Sequence, residues 1–226
     1  MTMNLPPLPL FHASPQDLAQ TTAPRIYARP LQRRTRLILL LLIFPILLSY
    51  WTPLWTIRLH APQYPNGLQV DIYSYKIVGG HSGQDINEIN ELNHYIGMRK
   101  LARSEFTDLD WIPFVLGILV LLTLRQAALG DLRGLIDLVV LTGDVSAFAF
   151  ARYVLQLYLF GHTLDSSAPV KIAPFMPVVI GRKQLANFTT YGFPNGGTFL
   201  MAIFAIGIIA LTVIEWRRDA SQAPVT

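Results

Sequence analysis

The chain contains no cysteine, so disulfides, zinc–thiolate sites, iron–sulfur clusters and covalent c-type haem attachment are all excluded. Charge is scarce as well: 14% of the residues are Asp, Glu, Lys or Arg, where a soluble domain carries about 25%. Catalytic signatures are also missing. There is no phosphate-cradling glycine loop, no nucleophile elbow and no His-Glu-x-x-His, so no enzyme is expected. What the 226 residues do contain is apolar material, 52% of the total, giving a mean hydropathy of +0.39. An ordinary soluble domain and a disordered chain are both excluded. The net charge of +4 comes largely from arginines beside a hydrophobic segment, which is how membrane orientation is encoded, so no nucleic-acid partner is expected.

The order of segments predicts an α-helical integral membrane protein with four transmembrane helices and a small mixed strand/helix extracytoplasmic domain. Residues 1–36 hold Pro6, Pro7, Pro9, Pro15, Pro24 and Pro30 and read as an irregular cytoplasmic tail. Arg25, Arg29, Arg33, Arg34 and Arg36 then precede an apolar run over 37–57. About 20 residues rising 1.5 Å each suffice to cross a hydrocarbon core of about 30 Å. The arginines place this end, and with it both termini, in the cytoplasm. The lipid partner is then a bacterial inner membrane.

Residues 58–110 follow outside. Tyr64-Pro65-Asn66-Gly67 reads as a turn and Leu68 to Val78 as a strand or short hairpin. Asp85-x-x-Glu88 resembles a capping box that opens a helix from about Ile86 to Met98. A second span is expected over 111–124, with Pro113 in its first turn. A cytoplasmic turn follows at 125–134, then a third span at 135–160. Residues 161–196 form an external Pro-rich loop, 197–216 a fourth span, and 217–226 a cytoplasmic tail.

Histidine and methionine supply the candidate chemistry. His60, His81, His94 and His162 all fall outside in this topology, as do Met98 and Met176. Imidazole and thioether are ligands suited to copper. His94 and Met98 are four apart on the expected helix, with Asn90 four residues earlier on the same stripe. A solvated helix face is the plainer reading of that stripe. His162 follows Gly161 at the mouth of the third span, with Asp165 placed to orient an imagined imidazole ligand. The plainer reading there is a histidine capping a helix end. Asp137, Asp144 and Arg152 lie in or beside the third span, where an ionisable side chain invites a functional role. Asp137 at the interface and Arg152 snorkelling outward are the alternatives.

The strings Tyr64-Pro65-Asn66-Gly67-Leu68, Ile89 through Met98, and Leu185-Ala186-Asn187-Phe188 resemble a family of small bacterial four-span membrane proteins. These are the NosB-like proteins encoded beside the Sec-exported class of nitrous oxide reductase. His162-Thr163-Leu164-Asp165, Ala168-Pro169 and Pro174-Phe175 add to the likeness, which covers about residues 37–216. Membership implies service to a periplasmic copper enzyme through copper supply, maturation or electron delivery. It brings a role in denitrification, beside which His94, Met98 and His162, read from the residues themselves, stand as candidate copper ligands. Two other classes stand beside it. One is a non-catalytic structural subunit of a membrane respiratory complex. The other is a small oligomeric transporter using Asp144.

Overall fold

The computed structural model describes residues 30–185 and 188–221. Most of the expected N-terminal tail, Ala186 and Asn187 of the last resemblance string, and residues 222–226 lie outside the described residues. In chain order the elements are α1 (Arg33–Leu41), α2 (Ile43–Leu48), β1 (Trp55–Ala61), β2 (Tyr64–Ile72), β3 (Ile77–Gly79) and α3 (Gln84–Ile96). They continue with α4 (Asp108–Leu129), α5 (Leu132–His162), β4 (Gly181–Leu185), β5 (Phe188–Pro194) and α6 (Gly196–Ser221).

The expectation of four spans is corrected to three helices long and apolar enough to cross a membrane: α4, α5 and α6. The first apolar run fails for a local reason. Pro45 has no amide to give Leu41, and helical assignment breaks at Leu42. The two pieces together reach only about 24 Å at 1.5 Å per residue. Pro53 then bars further helix, and the amide of Leu54 donates to Ile72 O at 2.7 Å, drawing the chain into a sheet. Trp55, Thr56 and Ile57, placed in the span by hydropathy, are β1 residues, as aromatic and β-branched side chains permit.

The second correction concerns the small external domain. It is a five-stranded antiparallel sheet of order β3-β2-β1-β5-β4, and two of its strands come from the segment expected to be a Pro-rich loop. β5 pairs along β1 from Trp55 against Pro194 to His60 against Thr189. Tyr64-Pro65-Asn66-Gly67 lies within β2 and not in a turn. The register slips between Leu59 and Ala61, and Gly67 takes the left-handed conformation (φ +73°) at this bulge. A Cβ there would come 2.9 Å from the His60 ring.

α3 packs across β2 and β3, with Ile89 buried against Leu68 and Val70. Asp85 is not its cap, because Gly83 occupies that position without a side-chain bond. The Asp85 carboxylate is buried, accepting from the Gln69 amide at 2.7 Å and meeting His81 Nδ1 at 2.7 Å. It fastens the helix start to the sheet. The helix stops at Ile96 because Gly97 turns left-handed (φ +76°) and the Met98 amide donates to Asn93 O.

Below the sheet, α1 and α2 lie along α4, and α2 also packs on α6, while α5 contacts both α4 and α6. Leu39, Ile46, Leu119, Leu135, Phe204 and Ile208 meet at the centre. Between apolar helices the gain is close packing, since lipid chains are as apolar as leucine. The helices close at a common base. Asp131 caps α5 by accepting from the Gly134 amide at 2.9 Å, and Gln126 Nε2 donates to Asp131 O. Buried Glu215 on α6 accepts from the Gln32 amide, from Thr35 Oγ1 and from Arg218, so both ends of the described chain are tied there. α4 begins three residues earlier than expected, which moves Pro113 from the first helical turn into the second. α5 extends to His162, about 46 Å at 1.5 Å per residue, well beyond one hydrocarbon thickness.

Candidate functional site: a hollow beneath the sheet and a basic-aromatic face above it

The five expected site residues outside the membrane do not form one centre. His94 points from the exposed side of α3, whereas Met98 lies past the helix end and lines an internal cavity. The four-residue spacing fails because Gly97 ends the helical rotation between them. Asn90 is occupied structurally: its Oδ1 accepts from the Leu101 amide at 2.6 Å, folding the segment after α3 back on the helix. His162 donates from Nδ1 to Tyr158 O at 2.9 Å, and its ring stacks on Tyr158 at 3.8 Å. This is the helix-end role considered as the plainer reading.

Asp165 accepts from the amide and hydroxyl of Ser167. Those two bonds, in that order, hold its carboxyl below the usual carboxylate range, with nearby His94 adding a smaller pull. The Asp165 amide donates to Gly97 O, and the Val170 amide to Tyr95 O. The end of α5 is thereby laced to the end of α3, so His94 and the 163–170 segment are neighbours. Among the described residues, no group of three His, Asp or Glu side chains is arranged to hold a metal ion.

The intramembrane charges are separated too. Asp137 is exposed near the base, in a small hollow with Arg125 and Arg133. Asp144 faces outward from α5. Arg152 does not snorkel alone. It forms a two-pronged bond with Asp108, at 2.9 and 3.2 Å, across from α5 to the start of α4. Asp108 also accepts from Trp111 Nε1 at 3.0 Å. The sequence reading passed over Asp108 because it sat just outside the expected span.

An internal space lies between the inner face of the sheet, α3 and the upper ends of the long helices. Its volume is about 430 Å³ and its walls are almost wholly apolar. Ile57 and Ile72 roof it, Leu92 and Met98 close one side, and Leu157 and Phe160 another. It reaches down between α4 and α5 to Leu116 and Val145. Trp55 and Tyr153 face each other in its wall with ring centroids 5.0 Å apart. Trp55 Nε1 and Tyr153 Oη are both buried, and neither completes a hydrogen bond of good geometry. The expected span over 37–57 takes in Trp55, and Tyr153 has no expected role. The available signal was a polar aromatic on an apolar helix.

The opposite face of the sheet is uncovered. Strand pairing sets Arg58 beside Gln69 on one neighbour and Tyr191 on the other, with Arg182 next to Tyr191. Arg182 lies over the Tyr191 ring at 5.9 Å, and His60 meets that ring edge-on at 5.6 Å. Phe193 is 47% exposed on the same side. The acidic group here, Asp71, is engaged by Thr56 and Gln69. The face is therefore basic and aromatic. No protein-family model, curated protein or solved structure matches this chain.

Proposed function

We propose that the chain is a non-catalytic accessory protein of the bacterial inner membrane that docks an extracytoplasmic partner on its sheet. The observation that carries this reading is the uncovered basic-aromatic face of Arg58, Arg182, Tyr191 and Phe193, raised above three apolar helices. Aromatic residues and arginine are the side chains enriched at binding surfaces. Complementary charge steers a partner in and fixes its register. The orientation follows from the base, where Arg33, Arg34, Arg36, Arg125, Arg133 and Arg217 gather at the helix ends. That end is cytoplasmic by the positive-inside rule, and the sheet faces outward.

The resemblance to NosB-like proteins supplies the partner class, a periplasmic copper enzyme of the nitrous oxide reductase kind. The separation of His94 from Met98 favours docking over metal handling as the service rendered. A permanent place in a respiratory complex is the same docking with a slower release.

The test uses cells that make both proteins. Arg58→Glu with Arg182→Glu should abolish co-purification with the copper enzyme and lower nitrous oxide reduction, leaving the enzyme's copper content unchanged. Unaltered association and activity would overturn the reading. Copper missing from the enzyme in His94→Ala with His162→Ala, while the Arg58→Glu, Arg182→Glu variant behaves as wild type, would replace it with metal supply.

A further inference from the structure

We infer that the hollow beneath the sheet is a binding site for a membrane-derived molecule with a long apolar body and a neutral hydrogen-bond-accepting carbonyl. This inference is independent of the docking role, because it concerns the opposite face of the sheet. The space measures about 430 Å³, within the about 300–1,000 Å³ of small-molecule sites. Cavities in well-packed interiors are few and small, since an unfilled void forfeits dispersion contacts. A hollow of this size and apolar lining is suited to hold an occupant.

Two buried polar atoms define the occupant's head. Trp55 Nε1 is a donor only, and Tyr153 Oη can donate as well as accept. In an apolar wall neither completes a hydrogen bond of good geometry, and a buried polar group left so is destabilising until a ligand supplies the partner. A carbonyl oxygen placed at the edges of the two rings, whose centroids are 5.0 Å apart, accepts from Trp55 Nε1 and Tyr153 Oη together. An anionic head fits less well. Lys183, the cation among the lining residues, donates from Nζ to Met176 O, and Arg152, next to Tyr153 in the chain, is already engaged by Asp108.

The walls define the body and the route. Ile112, Leu116 and Val145 carry the hollow down between α4 and α5, both long and apolar enough to cross a membrane. A molecule entering sideways from the bilayer would place its apolar end there and its carbonyl beneath the sheet. Two membrane sources offer this chemistry, the ester of a glycerolipid and the ring carbonyl of an isoprenoid quinone.

The experiment purifies the full chain from membranes, exchanges it through detergent and analyses the organic extract by mass spectrometry and ultraviolet absorbance. About one carbonyl-bearing molecule per chain is expected. A borohydride-bleachable absorbance identifies a quinone and a glycerol backbone mass identifies a lipid. Tyr153→Phe should weaken retention by about fivefold, the value of one hydrogen bond. Trp55→Phe should do the same, and Leu157→Trp, which fills the hollow, should remove it. Added decylubiquinone or phosphatidylcholine with brominated chains should quench the emission of Trp55 and Trp111, which line the space, in wild type but not in Leu157→Trp. No extractable molecule and no quenching in wild type would overturn the inference, as would retention and quenching unchanged in both Tyr153→Phe and Leu157→Trp. Because Arg58 and Arg182 lie on the other side of the sheet, failure here leaves the docking test standing.

Discussion

The two ends of the helical bundle solve the packing problem differently. Toward the base, Leu39, Leu119, Leu135, Phe204 and Ile208 are at most 1% exposed and interlock closely. Toward the sheet, Trp111, Phe150, Tyr153 and Phe160 leave a hollow between α4, α5 and the strands. Slim branched side chains let helices approach along their length. Large rings with fixed planes hold them apart unless a matching surface fills the gap. The base is thus the stable anchor and the sheet end the adaptable one, as binding regions draw on the less tightly packed parts of a fold.

Truncation at the two ends should break this comparison most sharply. Leu135→Ala in the base should cost about 2–5 kcal/mol, the range for a buried leucine left as a cavity. Leu157→Ala beside the existing hollow should cost clearly less, because few dispersion contacts remain there to lose. Denaturant titration in detergent micelles compares them, and equal losses would show that the hollow closes up in solution.

Gly97→Ala should be next in size. The site needs φ +76°, and a Cβ would come 2.7 Å from Asp165 O. Left-handed strain alone costs about 1–2 kcal/mol, and the clash loosens the 165–170 segment from α3. Hydrogen exchange at the Asp165 and Val170 amides reads this release directly, and unchanged protection would refute it.

The Arg152–Asp108 pair tests whether the hollow is braced. Asp108→Asn should lower the melting temperature, and combining it with Arg152→Gln should lower it by less than the sum of the two single changes. Additive losses would mean that the two charges act separately.

The smallest effect belongs to Asp165. Its folded-state pKa is depressed by the Ser167 amide and hydroxyl. The contribution is therefore present above the ordinary carboxylate pKa of about 4 and fades as pH falls through the lower folded value. Ser167→Ala should narrow the pH difference in protection of the 165–170 amides below about pH 4. No narrowing would reassign the depression to another neighbour.

Much of the helical architecture was legible beforehand, since a continuous apolar stretch without proline in its interior has few alternatives. α6 starts one residue before its expected limit and runs five residues past its expected end, and α3 lies within two residues of its expected limits. The broken first run was misread because hydropathy counts Trp55 and Ile57 the same in a helix as in a strand. β4 and β5 were missed because Phe188–Pro194 becomes a strand only through pairing with β1, whose partner residues lie 129 to 139 positions earlier in the chain. The candidate site fared similarly. His94, Met98 and Asn90 share a helical stripe on paper, but one left-handed glycine separates the first two, while Asn90 bonds to the Leu101 backbone.

The sequence by itself determined that this is a membrane protein without thiol chemistry, because low charge, absent cysteine and long apolar stretches are properties of composition. It also determined which end of the bundle collects arginine. The tertiary structure alone decided that one strand would close a sheet across the chain, that Arg152 would find Asp108, and that Trp55 would meet Tyr153 over a hollow. Those outcomes depend on pairings between distant residues, whose geometry no local spacing encodes.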